Sequence, residues 1–126
     1  MSHILVIDDE DAIRANLRRF LQLEGHTVSE AANGRDGVEQ ARARLPDLII
    51  CDLMMPELDG FEVLRAVRGH PATRHIAFCF LTASAEKDTR HIGLAQGADE
   101  YLTKPFDLAE MRATIARLLN SPSCGD

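Results

Sequence analysis

Asp8, Asp9, Asp52, Thr82 and Lys104 are the residues whose types and positions could do chemistry together. Each stands where a short strand-like segment gives way to a loop. If all ionise, the three carboxylates carry −3 and the ammonium +1, leaving −2. Two carboxylates about 5 Å apart repel by roughly 3 kcal/mol at an effective dielectric near 20, so such a set calls for a counter-charge. Oxygen-only donors on a hydrated rim suit a hard divalent cation: Mg²⁺, with Mn²⁺ as substitute. A carboxylate is already ionised at neutral pH and can attack phosphorus without a base, giving an acyl phosphate. The metal and Lys104 would neutralise the equatorial phosphoryl oxygens, and Thr82 would donate a hydrogen bond to them.

The elements that must position these groups can be read along the chain. Ile4–Ile7 is a buried-strand run ending in Asp8-Asp9-Glu10-Asp11, where Glu10 and Asp11 read as a solvated acidic loop. Ile13, Leu17, Phe20 and Leu21 recur at helical spacing, with Gly25 as a stop. Thr27–Ala31 is a second strand, closed by an Asn33-Gly34 turn and followed by a helix with Val38, Ala41 and Leu45 on its apolar face, ended by Pro46. Leu48–Asp52 is a third strand; Pro56 and Asp59-Gly60 supply turn and helix-start residues. Phe61, Leu64 and Val67 mark the third helix. Ala77–Leu81 is a fourth strand, closed by Thr82-Ala83-Ser84. Residues 86–96 form a weaker helix whose thin face is Ile92, Leu94 and Ala95. Glu100–Thr103 is a fifth strand. Asp107, with Glu110 three residues on, has the spacing of a capping box and opens the best-striped helix: Leu108, Met111, Ile115, Leu118 and Leu119.

Five alternations of strand and helix predict a parallel sheet with helices on both faces and right-handed crossovers. In such a sheet every strand ends on the same edge, the rim where open α/β sheets bind ligands. Asp8, Asp9, Asp52, Thr82 and Lys104 therefore converge there, while the second strand, ending at Ala31-Ala32, brings nothing polar.

With 126 residues, 45% hydrophobic and 27% charged, the chain suits one globular domain, over 1–120, with 121–126 as tail or linker start. A net charge of −6 disfavours direct binding to nucleic acid or an anionic membrane. There is no apolar run of membrane-span length and no visible signal peptide, so a cytoplasmic home is expected. Cys51, Cys79 and Cys124 fit no zinc spacing; the first two read as buried thiols and the third as a free thiol in the tail.

The sequence resembles the receiver domain of two-component response regulators over about residues 3–120. The markers are Asp8-Asp9, Asp52 within Cys-Asp-Leu-Met-Met-Pro-Glu-Leu-Asp-Gly, Leu81-Thr82-Ala83, Gly97-Ala98-Asp99-Glu100-Tyr101 and Lys104-Pro105-Phe106. The resemblance implies a flavodoxin-like doubly wound (βα)5 fold with strand order 2-1-3-4-5. It implies that Asp52 takes a phosphoryl group from a phosphohistidine on a sensor histidine kinase or histidine phosphotransfer protein. It further implies that Asp9, Asp52 and the Met54 carbonyl bind Mg²⁺ directly, with Asp8 acting through water. Thr82 and Tyr101 would switch, Tyr101 rotating inward, and the fourth helix, fifth strand and fifth helix would pass the signal to a downstream protein or output domain. The Lys104–Pro105 bond is expected to be cis.

Met54 and Ser84 occupy positions that tune phosphoryl lifetime in this family. Neither orients an attacking water well, so a longer lifetime than in fast chemotaxis-type receivers is expected. Arg90, Asp99, Glu110 and Arg117 suit a charged dimer face, but Thr114 is neutral where a basic residue is expected, leaving a monomer or a weak phosphorylation-dependent dimer. A haloacid-dehalogenase-type phosphatase would want Asp-x-Asp-x-Thr/Val and a cap domain, and a flavodoxin-type carrier would want a Ser/Thr/Gly-rich loop after strand one. The remaining alternatives are a phosphorylation-independent docking module and a receiver fragment of a hybrid kinase or multidomain regulator. No turnover of an external substrate is expected.

Overall fold

The computed structural model describes residues 2–83 and 87–120. Five strands, β1 (His3–Ile7), β2 (Thr27–Ala31), β3 (Leu48–Cys51), β4 (Ala77–Thr82) and β5 (Glu100–Thr103), alternate with α1 (Asp11–Leu23), α2 (Gly34–Arg44), α3 (Gly60–Arg68), α4 (Lys87–Ala95) and α5 (Leu108–Asn120). All strand pairings are parallel, in the order β2-β1-β3-β4-β5, the flavodoxin-like arrangement expected above.

β3 is central and every one of its residues is buried, as both faces of a parallel sheet are covered. Alternate residues feed two cores. Leu5, Ile7, Ile49, Cys51, Phe78 and Phe80 pack with Val63, Leu64 and Val67 of α3. Ile4, Val6, Leu48, Ile50, Cys79 and Leu81 pack with Leu17 and Leu21 of α1 and Met111 and Ile115 of α5. Burial pushes the thiols of Cys51 and Cys79 far above their ordinary range, so both are inert core residues. Cys124 and the rest of the tail lie outside the described residues.

Several local expectations change. Asn33 does not form a free turn: its side chain accepts the Asp36 N–H at 2.8 Å and caps α2. Leu45 is not on the apolar face of α2. It is the left-handed C-cap, φ 48°, and turns outward, half exposed, ahead of Pro46. Ile92 and Leu94 are also exposed, and of residues 89–95 of α4 only Gly93 is buried. Its α-carbon faces the Phe80 ring so closely that a Cβ there would sit 3.1 Å from the ring edge.

Candidate functional site

Register brings the rim residues level. Ile7 pairs with Cys51 and Cys51 with Phe80, and the Asp52 N–H donates to the Ile7 carbonyl at 2.9 Å. Asp8, the first residue past β1, therefore stands beside Asp52, the first past β3. Thr82 pairs with Thr103, and the Lys104 N–H donates to the Thr82 carbonyl at 2.8 Å. Lys104 thus leaves β5 next to Thr82, and its long stem reaches back across β4 and β3. The Lys104–Pro105 bond is cis.

The loop after Asp52 is fastened to α3. Asp59 and Glu62 form a reciprocal capping box, and the Gly60 N–H donates to the Leu53 carbonyl at 2.9 Å. A Cβ on Gly60 would lie 2.5 Å from the Asp52 carbonyl oxygen and 2.7 Å from the Leu53 Cα. Glycine here lets the start of α3 press directly on the backbone that carries Asp52.

Asp8 and Asp52 are 2% and 5% exposed. The Lys104 ammonium lies 2.8 Å from Glu10 Oε1, 3.0 Å from Asp8 Oδ2 and 3.3 Å from Asp52 Oδ2. Burial alone would lower the Lys104 pKa, but the hydrogen bonds to Glu10 and Asp8 and the charges of Asp8 and Asp52 outweigh it and raise it further. Lys104 is therefore a fixed cation. Asp8 goes the other way: burial pushes its carboxyl above the ordinary range despite the Glu10 N–H and Lys104. The Met54 N–H donates to Asp52 Oδ1 at 3.3 Å.

A cavity of about 250 Å³ opens over Asp52, lined by Asp9, Glu10, Met54, Thr82, Ala83 and Lys104. Asp9 is exposed, and Met54 is 67% exposed at the cavity mouth. Thr82 is fully buried in the cavity wall. Tyr101 is not in that wall. It is 2% exposed, inside the core, with its ring 6.0 Å from that of Phe80 in an edge-to-face contact. Its ring is packed inward among core residues. Ser84 lies outside the described residues.

Carboxylate oxygens of Asp8, Glu10 and Asp52 lie within 4.8 Å of one another. A purely carboxylate set with one member strained by burial has the chemistry a hard divalent cation would satisfy. Glu10 was not anticipated as a member of this group. Its one sequence signal is a long acid at the helix N-cap, where a short Ser, Thr, Asp or Asn is usual.

Rim and sheet together define a doubly wound α/β domain with a buried carboxylate–ammonium site at its carboxyl edge. The chain belongs to the response regulator receiver domain family, whose model matches residues 4–116. It is 41% identical over 116 residues to the transcriptional regulatory protein PrrA of Mycobacterium leprae, covering 92% of this chain and 49% of that protein. The chain spans about half the length of the curated relatives it matches. Among solved structures, the chemotaxis protein CheY4 of Vibrio cholerae superposes with a TM-score of 0.89 at 34% identity, over 94% of this chain and 99% of that one. The receiver domain of a signal transduction histidine kinase from Syntrophus aciditrophicus gives 0.89 at 30% identity, over 100% and 96%. Among the described residues no helix is long and apolar enough to cross a membrane.

Proposed function

We propose that this receiver domain is a working phosphoacceptor, taking a phosphoryl group onto Asp52 from a phosphohistidine of a sensor kinase or phosphotransfer protein. The observation that carries the reading is a buried Asp52 carboxylate, held by Lys104 and the Met54 N–H, at the floor of a cavity large enough for a phosphoryl group. An Asp52 oxygen attacks phosphorus as the phosphorus–nitrogen bond of the donor breaks. The electron pair leaves with the imidazole nitrogen, which takes a proton from solvent. Lys104 neutralises the oxygens of the transferred group, and Thr82 donates to one of them. Asp8, Asp9, Asp52 and the Met54 carbonyl would hold Mg²⁺, or Mn²⁺ in its place. The ion supplies charge neutralisation and in-line orientation.

The domain turns over no external substrate; it promotes its own phosphorylation and dephosphorylation. Its output is the α4, β5 and α5 surface, read by a further domain or a separate cytoplasmic protein. The half-length match to PrrA, a transcriptional regulatory protein, favours an output domain. Arg90 and Arg117 both pair with Glu100 within the chain, and Arg68 holds Asp99 at 3.1 Å. Thr114 is buried. These internal pairings favour a monomer or a weak dimer formed on phosphorylation. Met54 shields the mouth of the site, and with Ser84 it sets a long phosphoryl lifetime.

The test is intact-protein mass after incubation with acetyl phosphate, with and without Mg²⁺. Wild type gains one phosphoryl group only with Mg²⁺, and Asp52→Asn gains none. A folded wild type that gains none under any donor, its own kinase included, would leave the docking-module reading standing instead.

A further inference from the structure

Lys104 has three N–H donors and three carboxylate partners, and the shortest contact, at 2.8 Å, is to Glu10. Asp8 and Asp52 are buried and held in place. The Glu10 side chain is different: it is 58% exposed. Its backbone is fixed, since its N–H donates to Asp8 Oδ1 at 2.8 Å and its carbonyl accepts the Arg14 N–H at 3.0 Å. Arg14 also donates to the Asp8 carbonyl at 2.7 Å, pinning the same loop. Only the Glu10 side chain is left to move. Moreover, Glu10 is the N-cap of α1, and its side chain makes no capping hydrogen bond. It spends its carboxylate on Lys104 instead.

We infer that Glu10 is a latch on Lys104: in the unphosphorylated state it occupies the ammonium donor that the incoming phosphoryl oxygen must take, and it swings to solvent as Asp52 is phosphorylated. The inference rests on the phosphoacceptor reading above and deepens it. Of the three carboxylates, only Glu10 can leave without stranding a buried charge. Asp8 and Asp52 are only 2% and 5% exposed, whereas Glu10 is already more than half hydrated. Its departure costs an ion pair that is half screened, so the latch slows phosphorylation without blocking it. Glu10 is a positioning residue: it acts through Lys104.

The experiment is the initial rate of phosphorylation by acetyl phosphate at saturating Mg²⁺, read by intact mass. An Asp52 carboxylate oxygen bonds to phosphorus, the phosphorus–oxygen bond to the acetyl group breaks, and acetate leaves with the electron pair. Wild type is compared with Glu10→Gln, Glu10→Asp and Asp11→Asn. Gln removes the charge and Asp keeps it but shortens the reach. Asp11 is a neighbouring exposed acid that pairs with Arg14, not Lys104. A latch predicts that Gln and Asp both phosphorylate about two- to five-fold faster, the range expected of a half-exposed ion pair, while Asp11→Asn stays at the wild-type rate. If Glu10→Asp matches wild type while Gln is faster, only general charge matters and the latch is wrong. Slower Glu10 variants would make Glu10 a metal ligand, and rates all equal would leave it idle; either result overturns the inference. Label on wild type with unchanged Glu10 variants removes the latch alone. No label on wild type removes the phosphoacceptor reading and the latch with it.

Discussion

α3 and α4 are both nine residues long and both pack against the same core, yet they are held in opposite ways. α3 buries Gly60, Val63, Leu64 and Val67, carries a complete capping box, and ends with Arg68, which donates to the carbonyls of Arg74, Ile76 and Gly97. α4 exposes Ile92 and Leu94 and approaches the sheet through Gly93 on the Phe80 ring. The backbone that follows Asp52 is fastened to α3, the Gly60 N–H donating to the Leu53 carbonyl. Local stability follows buried apolar contact. The receiver therefore ties the Asp52 loop to the firmly packed helix, while α4, of whose residues 89–95 only Gly93 is buried, meets the sheet more lightly, through Gly93 on the Phe80 ring and the Arg90–Glu100 pair at 3.8 Å. That difference is what a local event at Asp52 needs if it is to move one element and not the whole fold.

The largest test of this contrast is to empty each helix in turn. Leu64→Ala removes a fully buried side chain and should cost about 2–5 kcal/mol. Leu94→Ala, at a position 37% exposed, should cost no more than about 0.5 kcal/mol. Urea unfolding midpoints measure both. Equal losses would mean that α4 is as firmly built as α3 and would remove the basis of the comparison.

Much of this contrast is legible in the sequence alone. Strand–helix alternation gave the layers, and parallel strands forced Asp8, Asp52, Thr82 and Lys104 to one rim, because strand ends share an edge whatever the loops do. The thin stripe of α4 was also legible, but which residue touched the sheet was not. Ile92 and Leu94 are the apolar residues, yet contact goes to Gly93, because close approach to an aromatic ring selects the absence of a side chain. Glu10 was hidden for another reason. Its partner lies 94 positions away, and a surface acid reaching a lysine from four strands' worth of folding leaves no local pattern. Leu45 broke its helical period because the cap before Pro46 needs a left-handed residue, and backbone geometry overrode hydrophobicity.

A second test adds one methyl group to each helix instead of removing several. On Gly60 the new Cβ meets backbone, at 2.5 Å from the Asp52 carbonyl, which cannot turn aside. Gly60→Ala should cost about 1–3 kcal/mol and slow phosphorylation by displacing the acceptor. On Gly93 the Cβ meets the edge of the Phe80 ring at 3.1 and 3.2 Å. A few tenths of an ångström of retreat by α4 suffices, and alanine gains up to about 1 kcal/mol of helix propensity over glycine. Gly93→Ala should stay within about 1 kcal/mol of wild type while shifting the amide resonances of α4 and Phe80. Paired urea unfolding and two-dimensional NMR of the two variants decide it. Two variants equally destabilised would show that α4 cannot yield.

The smallest effect separates packing strain from electrostatic strain, which sits on the acceptor side of the contrast. Burial raises the Asp8 carboxyl above its ordinary 3.8, so between that value and the raised one the folded protein binds more protons than the unfolded chain. Stability must then fall as pH rises through this window, and above it the cost of holding an ionised Asp8 is fully present. In Mg²⁺-free buffer at pH 7, Asp8→Asn should therefore unfold at a higher urea concentration than wild type, by less than either core change above. The gain should shrink as pH falls through the window and vanish below 3.8, where wild-type Asp8 becomes protonated in both states. Leu94→Ala in α4 should show no such pH dependence. A gain from Asp8→Asn that is constant with pH would mean that shape, not charge, strains the rim. The tightly packed side of the receiver would then carry no electrostatic load for a cation to relieve.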